Sequence, residues 1–121
     1  MNAARPILSW LLIPAILMDI AFRDIRIDTK TGPALLCENI AGLEIEGLRT
    51  PTPHPDCATI DLKDVSDAYI HGCRATTGTE VFVGLRGEKC RDILMQGNDL
   101  RSASTPVKTT EGCPASALIR D

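Results

Sequence analysis

Aromatic residues are scarce in this sequence. Two phenylalanines, one tyrosine and one tryptophan make up 3% of the 121 residues, although 44% of the residues are hydrophobic. Any core must therefore be built from Leu, Ile, Val and Ala, which suits thin stacked layers, and functions that depend on aromatic stacking have little support. The length fits one domain with a real core and is too short for two.

A basic segment is also missing. Thirteen Lys and Arg stand against sixteen Asp and Glu, which gives a formal net charge of −3. No run of Lys or Arg makes the positive footprint that nucleic acid binding needs. We therefore expect no nucleic acid partner.

Closely spaced cysteine pairs are absent. The five cysteines are an odd number on separate segments, namely Cys37, Cys57, Cys73, Cys90 and Cys113. Such spacing predicts neither a disulfide framework nor a zinc ribbon, and buried free thiols are expected instead. Two segments, residues 54–57 and 71–73, combine His with Cys, but they lie on different predicted turns and lack tight ligand spacing. We expect no metal and no cofactor.

The one long apolar stretch, residues 6–18, is too short to span a bilayer. Residues 6–18 could alternatively be the apolar region of a secretory signal. However, the residues that follow, from Asp19 to Phe22, are charged and bulky and lack a small-x-small cleavage pattern. We expect residues 1–15 to be an apolar N-terminal segment or cap, and we expect no membrane span.

The sequence does contain a repeat of 25 residues. Residues 38–49, 63–74 and 88–99 align without gaps, and between the aligned positions apolar and polar residues alternate, as in a strand with one buried face. A glycine follows each such strand, where it allows a sharp turn. The predicted columns are Leu35/Ile60/Leu85, Ile40/Val65/Cys90, Leu43/Ala68/Ile93, Ile45/Ile70/Met95 and Gly47/Gly72/Gly97.

A shorter copy is predicted upstream at an offset of 18 residues, and it extends the repeat toward the N-terminus. Its members Leu17, Phe22, Ile25 and Ile27 match Leu35, Ile40, Leu43 and Ile45.

Stacked strands in register predict an all-β fold, a right-handed parallel β-helix with three to four coils over residues 16–101. Residues 102–121 are expected to form an irregular C-terminal cap or tail, because Pro106, Gly112 and Pro114 interrupt the repeat. Such a stack exposes strand edges at its ends, so it can associate end to end with another copy.

A leucine-rich-repeat interaction module is the rival interpretation. The residues Cys90, Ile93, Met95 and Asn98 match its template. That architecture normally packs a helix or a 3₁₀ segment on its convex side, whereas residues 58–62 and 80–85 alternate like strands. The alternation favours the β-helix.

Three segments, residues 21–28, 32–36 and 85–100, resemble the last coils of pectin-lyase-like β-helix proteins, and most closely those of glycoside hydrolase family 28, the polygalacturonase relatives. The resemblance implies a C-terminal portion of a longer solenoid, a galacturonan-type polysaccharide substrate cleaved by inversion, and an extracellular or periplasmic location.

The family's catalytic motifs, Asn-Thr-Asp, Asp-Asp, Gly-His-Gly and Arg-Ile-Lys, are absent from this sequence. The nearest segments are His71-Gly72, which Ile70 precedes, and Arg26-Ile27-Asp28. No catalytic residue follows from the resemblance, and enzymatic activity stays an open question. The expected role is scaffold with substrate contacts, and the alternative is a non-catalytic structural or binding β-helix.

Two outward ladders are the candidate substrate-binding residues. Alternation turns Glu46, His71 and Gln96 away from the core, and a second ladder after the turn contains Arg49, Arg74 and Asp99. Polar ladders can line a sugar-binding groove, in which Arg pairs with the carboxylate of an acidic polysaccharide. The simpler alternative is a solvated face with Glu46/His71 and Arg74/Asp99 ion pairs.

Overall fold

The computed structural model describes residues 17–29 and 31–120 of the chain. The expectations for residues 1–15 therefore lie outside the described residues. Within residues 17–29 and 31–120, the regular structure consists of nine strands and one short 3₁₀ helix, Ala115–Ala117. The strands are β1 (Leu17–Arg23), β2 (Leu35–Glu38), β3 (Ile40–Glu46), β4 (Ala58–Lys63), β5 (Ser66–His71), β6 (Thr79–Arg86), β7 (Arg91–Gln96), β8 (Ala103–Thr110) and β9 (Leu118–Arg120).

The strands form two parallel sheets that alternate along the chain. The first sheet has the order β1-β3-β5-β7-β9 and the second has the order β2-β4-β6-β8. From β1 to β8, each layer therefore contributes one strand to each sheet, and β9 adds a fifth strand to the first sheet. The layers stack as a parallel β-solenoid of about four turns. This confirms the predicted fold class. No helix in the described part of the chain is long and apolar enough to cross a membrane.

The core lies between the two sheets and is mostly aliphatic. Ile45 and Ile70 from the first sheet, and Ile60 and Leu62 from the second, are 0% exposed. The burial pattern of β3, β5 and β7 alternates, as the period of two predicts for a strand with one face against the core. Complete burial of one such side chain contributes about 1.5–3 kcal/mol. Among the described residues, Phe82 is the largest fully buried side chain.

The 25-residue register is confirmed in the first sheet. Leu43 pairs with Ala68, and Ile45 pairs with Ile70, across β3 and β5. The same offset continues from β5 to β7, where Ile70 pairs with Met95. Side chains of one column therefore stack directly on each other and exclude water from the interior.

In the second sheet, the predicted column Leu35/Ile60/Leu85 is wrong at its third member. Leu35 pairs with Ile60, but β4 pairs with β6 at an offset of 23, so that Ile60 faces Val83 and Leu62 faces Leu85. Two length changes cancel here. Counted from the paired residues, the connection from β4 to β5 is two residues shorter than the connection from β6 to β7, and the connection from β3 to β4 is two residues longer than the connection from β5 to β6. A shift of two residues keeps every side chain on its original face.

The upstream copy is also aligned differently from the prediction. Leu17 pairs with Ile40 and Phe22 pairs with Ile45, which is an offset of 23 rather than 18. The turn after β1 is made by Asp24, whose φ is 52°. Asp tolerates this left-handed conformation better than most residues, so the first coil turns without the glycine that marks the other copies.

The glycine column is confirmed as a stack of turns. Gly47, Gly72 and Gly97 have φ values of 68°, 66° and 66°. The amide of Gly47 donates to the carbonyl of His71 at 3.1 Å, as the amide of Asp24 does to Glu46 at 2.9 Å. The turns at Asp24 and Gly47 therefore hydrogen-bond to the next layer, and the turn column brings the chain out of the first sheet at equivalent positions of successive coils.

The segment expected to be an irregular cap or tail contains two strands. β8 pairs with β6, and β9 pairs with β7. Pro106 lies in β8, at the edge of the second sheet, where a residue without an amide proton is tolerated. The solenoid therefore extends past residue 102.

The second sheet also decides between the two interpretations of the repeat. A leucine-rich repeat would place helical segments where β4, β6 and β8 lie. Among the residues that the structure describes, the only helix is the three-residue 3₁₀ helix before β9. The β-helix interpretation therefore holds.

Candidate functional site

The outer face of the first sheet carries two parallel ladders of side chains. Pairing between strands places Arg23, Glu46, His71 and Gln96 in one ladder. Two residues earlier on each strand lies the second ladder, which contains Ala21, Glu44, Tyr69, Leu94 and Ile119. The predicted ladder Glu46/His71/Gln96 is therefore brought together, and three polar neighbours join it.

Glu44 is at the centre of a hydrogen-bonded cluster. One carboxylate oxygen of Glu44 lies 2.8 Å from Nε2 of His71, and the other accepts a hydrogen bond from Arg23 at 2.8 Å. These hydrogen bonds, first from His71 and then from Arg23, lower the pKa of Glu44 below its usual value. In return, the carboxylate raises the pKa of Arg23.

The expected Glu46/His71 ion pair is replaced by a diagonal pair. His71 faces Glu46 directly in the sheet, yet it hydrogen-bonds to Glu44, two residues away on β3. Glu46 instead lies 3.7 Å from the guanidinium of Arg23. A long histidine side chain can reach diagonal neighbours across a sheet, and backbone register alone does not decide which carboxylate it selects.

Tyr69 extends the cluster toward the next layer. Its ring stacks on the imidazole of His71, with centroids 4.1 Å apart and an interplanar angle of 14°. Its hydroxyl donates a hydrogen bond to Oε1 of Gln96 at 2.9 Å. Sequence reasoning missed Tyr69 and Glu44, although their position two residues before a predicted ladder residue could have placed them on the same face.

A ladder of arginines follows the glycine turns. Arg26 forms a parallel bridge with Arg49, and Arg74 does so with Asp99. The amide of Arg74 donates to the carbonyl of Leu48 at 3.2 Å, so Arg49 and Arg74 occupy successive layers. The predicted ladder Arg49/Arg74/Asp99 is therefore present, and Arg26 adds a third arginine that the incorrect upstream offset concealed.

Two of these arginines have no side-chain partner among the described residues. Arg26 and Arg49 are exposed, and neither makes an ion pair or a side-chain hydrogen bond to another described residue. Arg74 lies 3.9 Å from Asp99, as expected. However, Asp99 makes shorter bonds of 2.9 and 3.0 Å to Arg101, and these hydrogen bonds lower the pKa of Asp99 to about 2.

The arginine ladder lines two shallow grooves. Arg26, Arg49 and Arg74 line one of about 470 Å³, together with residues of the following loop. Arg26 and Arg49 also line a second groove of about 510 Å³, which includes Glu46. The arginines therefore lie beside the polar cluster of the first sheet, and the two features form one continuous polar surface.

The electrostatic environment of Glu44 does not match that of a general acid. A glycosidase general acid has a raised pKa so that it is protonated when needed, whereas the pKa of Glu44 is lowered. Glu44, Glu46 and His71 present ligand atoms within 4.8 Å of one another. A metal ion there would have to displace Arg23, which already supplies positive charge to Glu44 at 2.8 Å.

Fold and surface together define the class of protein, a parallel β-solenoid with polar ladders along one sheet. No family model, curated protein or solved structure matches the chain. The resemblance to glycoside hydrolase family 28 therefore rests on the repeat alone, and the function is argued from the geometry of the site.

Proposed function

We propose that this β-solenoid binds an acidic polysaccharide of the galacturonan type, and that it supplies scaffold and substrate contacts rather than catalysis. The observation that carries the proposal is the ladder of Arg26, Arg49 and Arg74, one arginine in each successive layer. The candidate contact residues of the neighbouring ladder are Glu46, His71 and Gln96.

The arginine ladder runs along the solenoid axis, because successive members come from successive layers. Layers of a sheet are about 4.8 Å apart, so a linear polymer lying along the axis would meet a new guanidinium at each step. Arg binds carboxylates in bidentate geometry, which fixes orientation as well as charge. A polymer with a carboxylate on each sugar has the complementary pattern.

The polar cluster supports the same ligand class. Glu44 and Glu46 offer carboxylate oxygens that accept hydrogen bonds from sugar hydroxyls. The two carboxylates also repel a polyanion that is not held by the arginines. The combination favours an acidic sugar chain over a neutral one or a simple polyanion.

The test measures binding of polygalacturonate by isothermal titration calorimetry, with its fully methyl-esterified form as the neutral comparison. The variants Arg49→Gln and Arg74→Gln should each weaken binding about 2- to 5-fold, the effect expected for one exposed charge pair. Binding of the wild type should also weaken as salt is added, because salt screens exposed charges.

Arg91→Gln is the matched control, since Arg91 is exposed in β7 and lines a different groove. It changes the net charge by the same amount and should leave binding unaltered. Equal loss of affinity in Arg91→Gln and Arg49→Gln would contradict the proposal, as would equal affinity for the esterified polymer. Release of reducing ends during incubation would contradict the non-catalytic role.

End-to-end assembly is a second candidate function, favoured by apolar side chains on the end strands of the first sheet. Leu17 and Met18 in β1 are 55% and 68% exposed, and Ile119 in β9 is 47% exposed. Light scattering over a range of concentrations tests this candidate: mass should rise with concentration, and Ile119→Asp should abolish the rise. A constant monomer mass in the wild type would exclude it.

A further inference from the structure

The hydrophobic core is open at the N-terminal end of the described solenoid. Ile20 and Phe22 in β1 pack against the core, yet they are only half-buried. Their partners in the next layer, Leu43 and Ile45, are 2% and 0% exposed. The difference arises because β3 has a neighbouring strand on each side, whereas β1 has a described neighbour on one side only.

Other parts of the first coil show the same difference. Leu35 in β2 is half-buried, whereas its partner Ile60 in β4 is 0% exposed. The amide of Arg49 donates to the carbonyl of Ile25 at 2.9 Å, which places Ile25 and Leu48 in one column. Ile25 is half-buried and Leu48 is 0% exposed. Ile20, Phe22, Ile25 and Leu35 therefore form one apolar surface, the N-terminal face, which needs a cover as the terminal unit of a repeat protein does.

The backbone of the first coil adds to this requirement. β1 and β2 are the first strands of their sheets, so each has a row of amide and carbonyl groups without a described strand beside it. An open edge of this kind pairs with another segment if nothing covers it. The N-terminal face therefore requires a cover that is apolar and that can also hydrogen-bond through its backbone, which a peptide segment provides.

The chain supplies such a segment directly before β1. Residues 6–16 contain one polar side chain, that of Ser9, and no charged one. The amide of Leu17 donates to the carbonyl of Asn39 at 3.1 Å, so the segment enters β1 next to the end of β2. Eleven extended residues reach at most about 36–40 Å, which exceeds both the spacing of packed sheets, about 10 Å, and the length of a seven-residue strand, about 23 Å. The segment is therefore long enough to cross the whole N-terminal face.

We propose that residues 6–16 dock on the N-terminal face of their own chain and cover Ile20, Phe22, Ile25 and Leu35. Covalent attachment favours this occupant over a second copy, because a short tether gives an effective concentration of about a millimolar. The proposal is independent of polysaccharide binding, since the arginine ladder lies on the outside of the coils. It is an alternative to end-to-end assembly, because a docked segment leaves no free N-terminal face for another copy.

Fluorescence of Trp10 tests the proposal, because Trp10 is the only tryptophan of the chain and reports on residues 6–16 alone. Acrylamide quenching is measured on the full chain in buffer and in urea. In buffer the emission should lie at shorter wavelength and should be quenched less efficiently than in urea, because docking removes the indole ring from water. This shielding should not change with protein concentration.

A double variant with Leu11→Asp and Leu12→Asp should lose the shielding. Adjacent residues of an extended segment face opposite ways, so one of the two changes replaces a leucine that faces the core. Full burial of a leucine raises the docking equilibrium constant by at least about tenfold. Amide hydrogen exchange in β1 and β2 should become faster in this variant. The matched control carries Ala3→Asp and Ala4→Asp, which add the same charge outside residues 6–16 and should leave both measurements unchanged.

Several results would overturn the proposal. Quenching of the wild type that is as efficient in buffer as in urea would do so whatever the variants show. Shielding that increases with protein concentration would assign the N-terminal face to a second copy. Shielding that requires phosphatidylcholine vesicles would assign residues 6–16 to a lipid surface. Equal loss of shielding in the two double variants would show that added charge, and not a lost apolar contact, causes the effect.

Discussion

Replacement of Gly97 by Ala isolates the conformational requirement of the turn column. Gly97 has a φ of 66°, and a Cβ built on it has no heavy atom within 4 Å. The substitution therefore creates no clash, and its cost is the strain of an L-residue in the left-handed region, about 1–2 kcal/mol. The unfolding equilibrium constant should rise about 5- to 30-fold.

Two comparison variants separate this strain from steric effects. Gly97→Asn should cost clearly less, because Asn tolerates the left-handed region and Asp24 already occupies it in the first coil. Gly87→Ala should cost more, because its Cβ would overlap the carboxylate of Asp64 and because the backbone there has a φ of 96°. The expected order of stability is Gly97→Asn, then Gly97→Ala, then Gly87→Ala.

Equilibrium urea unfolding followed by far-ultraviolet circular dichroism measures this order. The slope against urea should be the same in all variants, so that midpoints report stability. A neutral Gly97→Ala variant would refute the reasoning, because the turn would then not require a positive φ. Equal losses for Ala and Asn at position 97 would refute it as well.

Three further predictions concern the core and the acidic groups. Ile70→Ala should lower the free energy of unfolding by about 2–5 kcal/mol, because Ile70 is 0% exposed. Leu36 is 57% exposed, so Leu36→Ala should change the free energy of unfolding by less than about 0.5 kcal/mol. Urea unfolding measures both changes. The pKa of Asp99 is lowered from 3.8 to about 2, so the stabilising effect of its carboxylate is present above about pH 4 and is lost as the pH falls toward 2. The urea midpoint of Asp99→Asn should therefore decline less than that of the wild type over that interval. The carboxyl group of Glu44 should titrate below pH 4.5 by carbon NMR, and Arg23→Gln should raise its midpoint because a hydrogen bond to the charged form is lost.

Each of these has a clear contrary result. Similar losses in Ile70→Ala and Leu36→Ala would mean that the inward and outward faces are assigned incorrectly. If the urea midpoints of the wild type and of Asp99→Asn declined equally as the pH falls from about 4 toward 2, the bonds between Asp99 and Arg101 would be absent in solution. An unchanged titration of Glu44 in Arg23→Gln would leave His71 as its only partner.

Much of the site followed from alternation and register. The outward direction of Glu46, His71 and Gln96 was predictable, because inward columns force the intervening residues outward. Glu44 and Tyr69 follow the same alternation, but they lie two residues farther from the glycines that mark the predicted ladder. Arg26 was hidden for another reason: the first coil turns at Asp24, so no glycine marked its register.

The sequence by itself determined the period, the buried columns of the first sheet and the parallel stacking of strands. These follow from local alternation and from a glycine that needs a positive φ, and both are written at fixed positions of each copy. The tertiary structure decided the offset of 23 in the second sheet, where Ile60 meets Val83, because two compensating changes in turn length leave period and polarity untouched.

The tertiary structure also decided which side chains meet across the layers. His71 bonds to Glu44 rather than to the directly opposite Glu46. Such contacts depend on rotamers and diagonal distances. The alternation of polar and apolar residues specifies the face on which a side chain lies, and it does not specify the partner that the side chain reaches there.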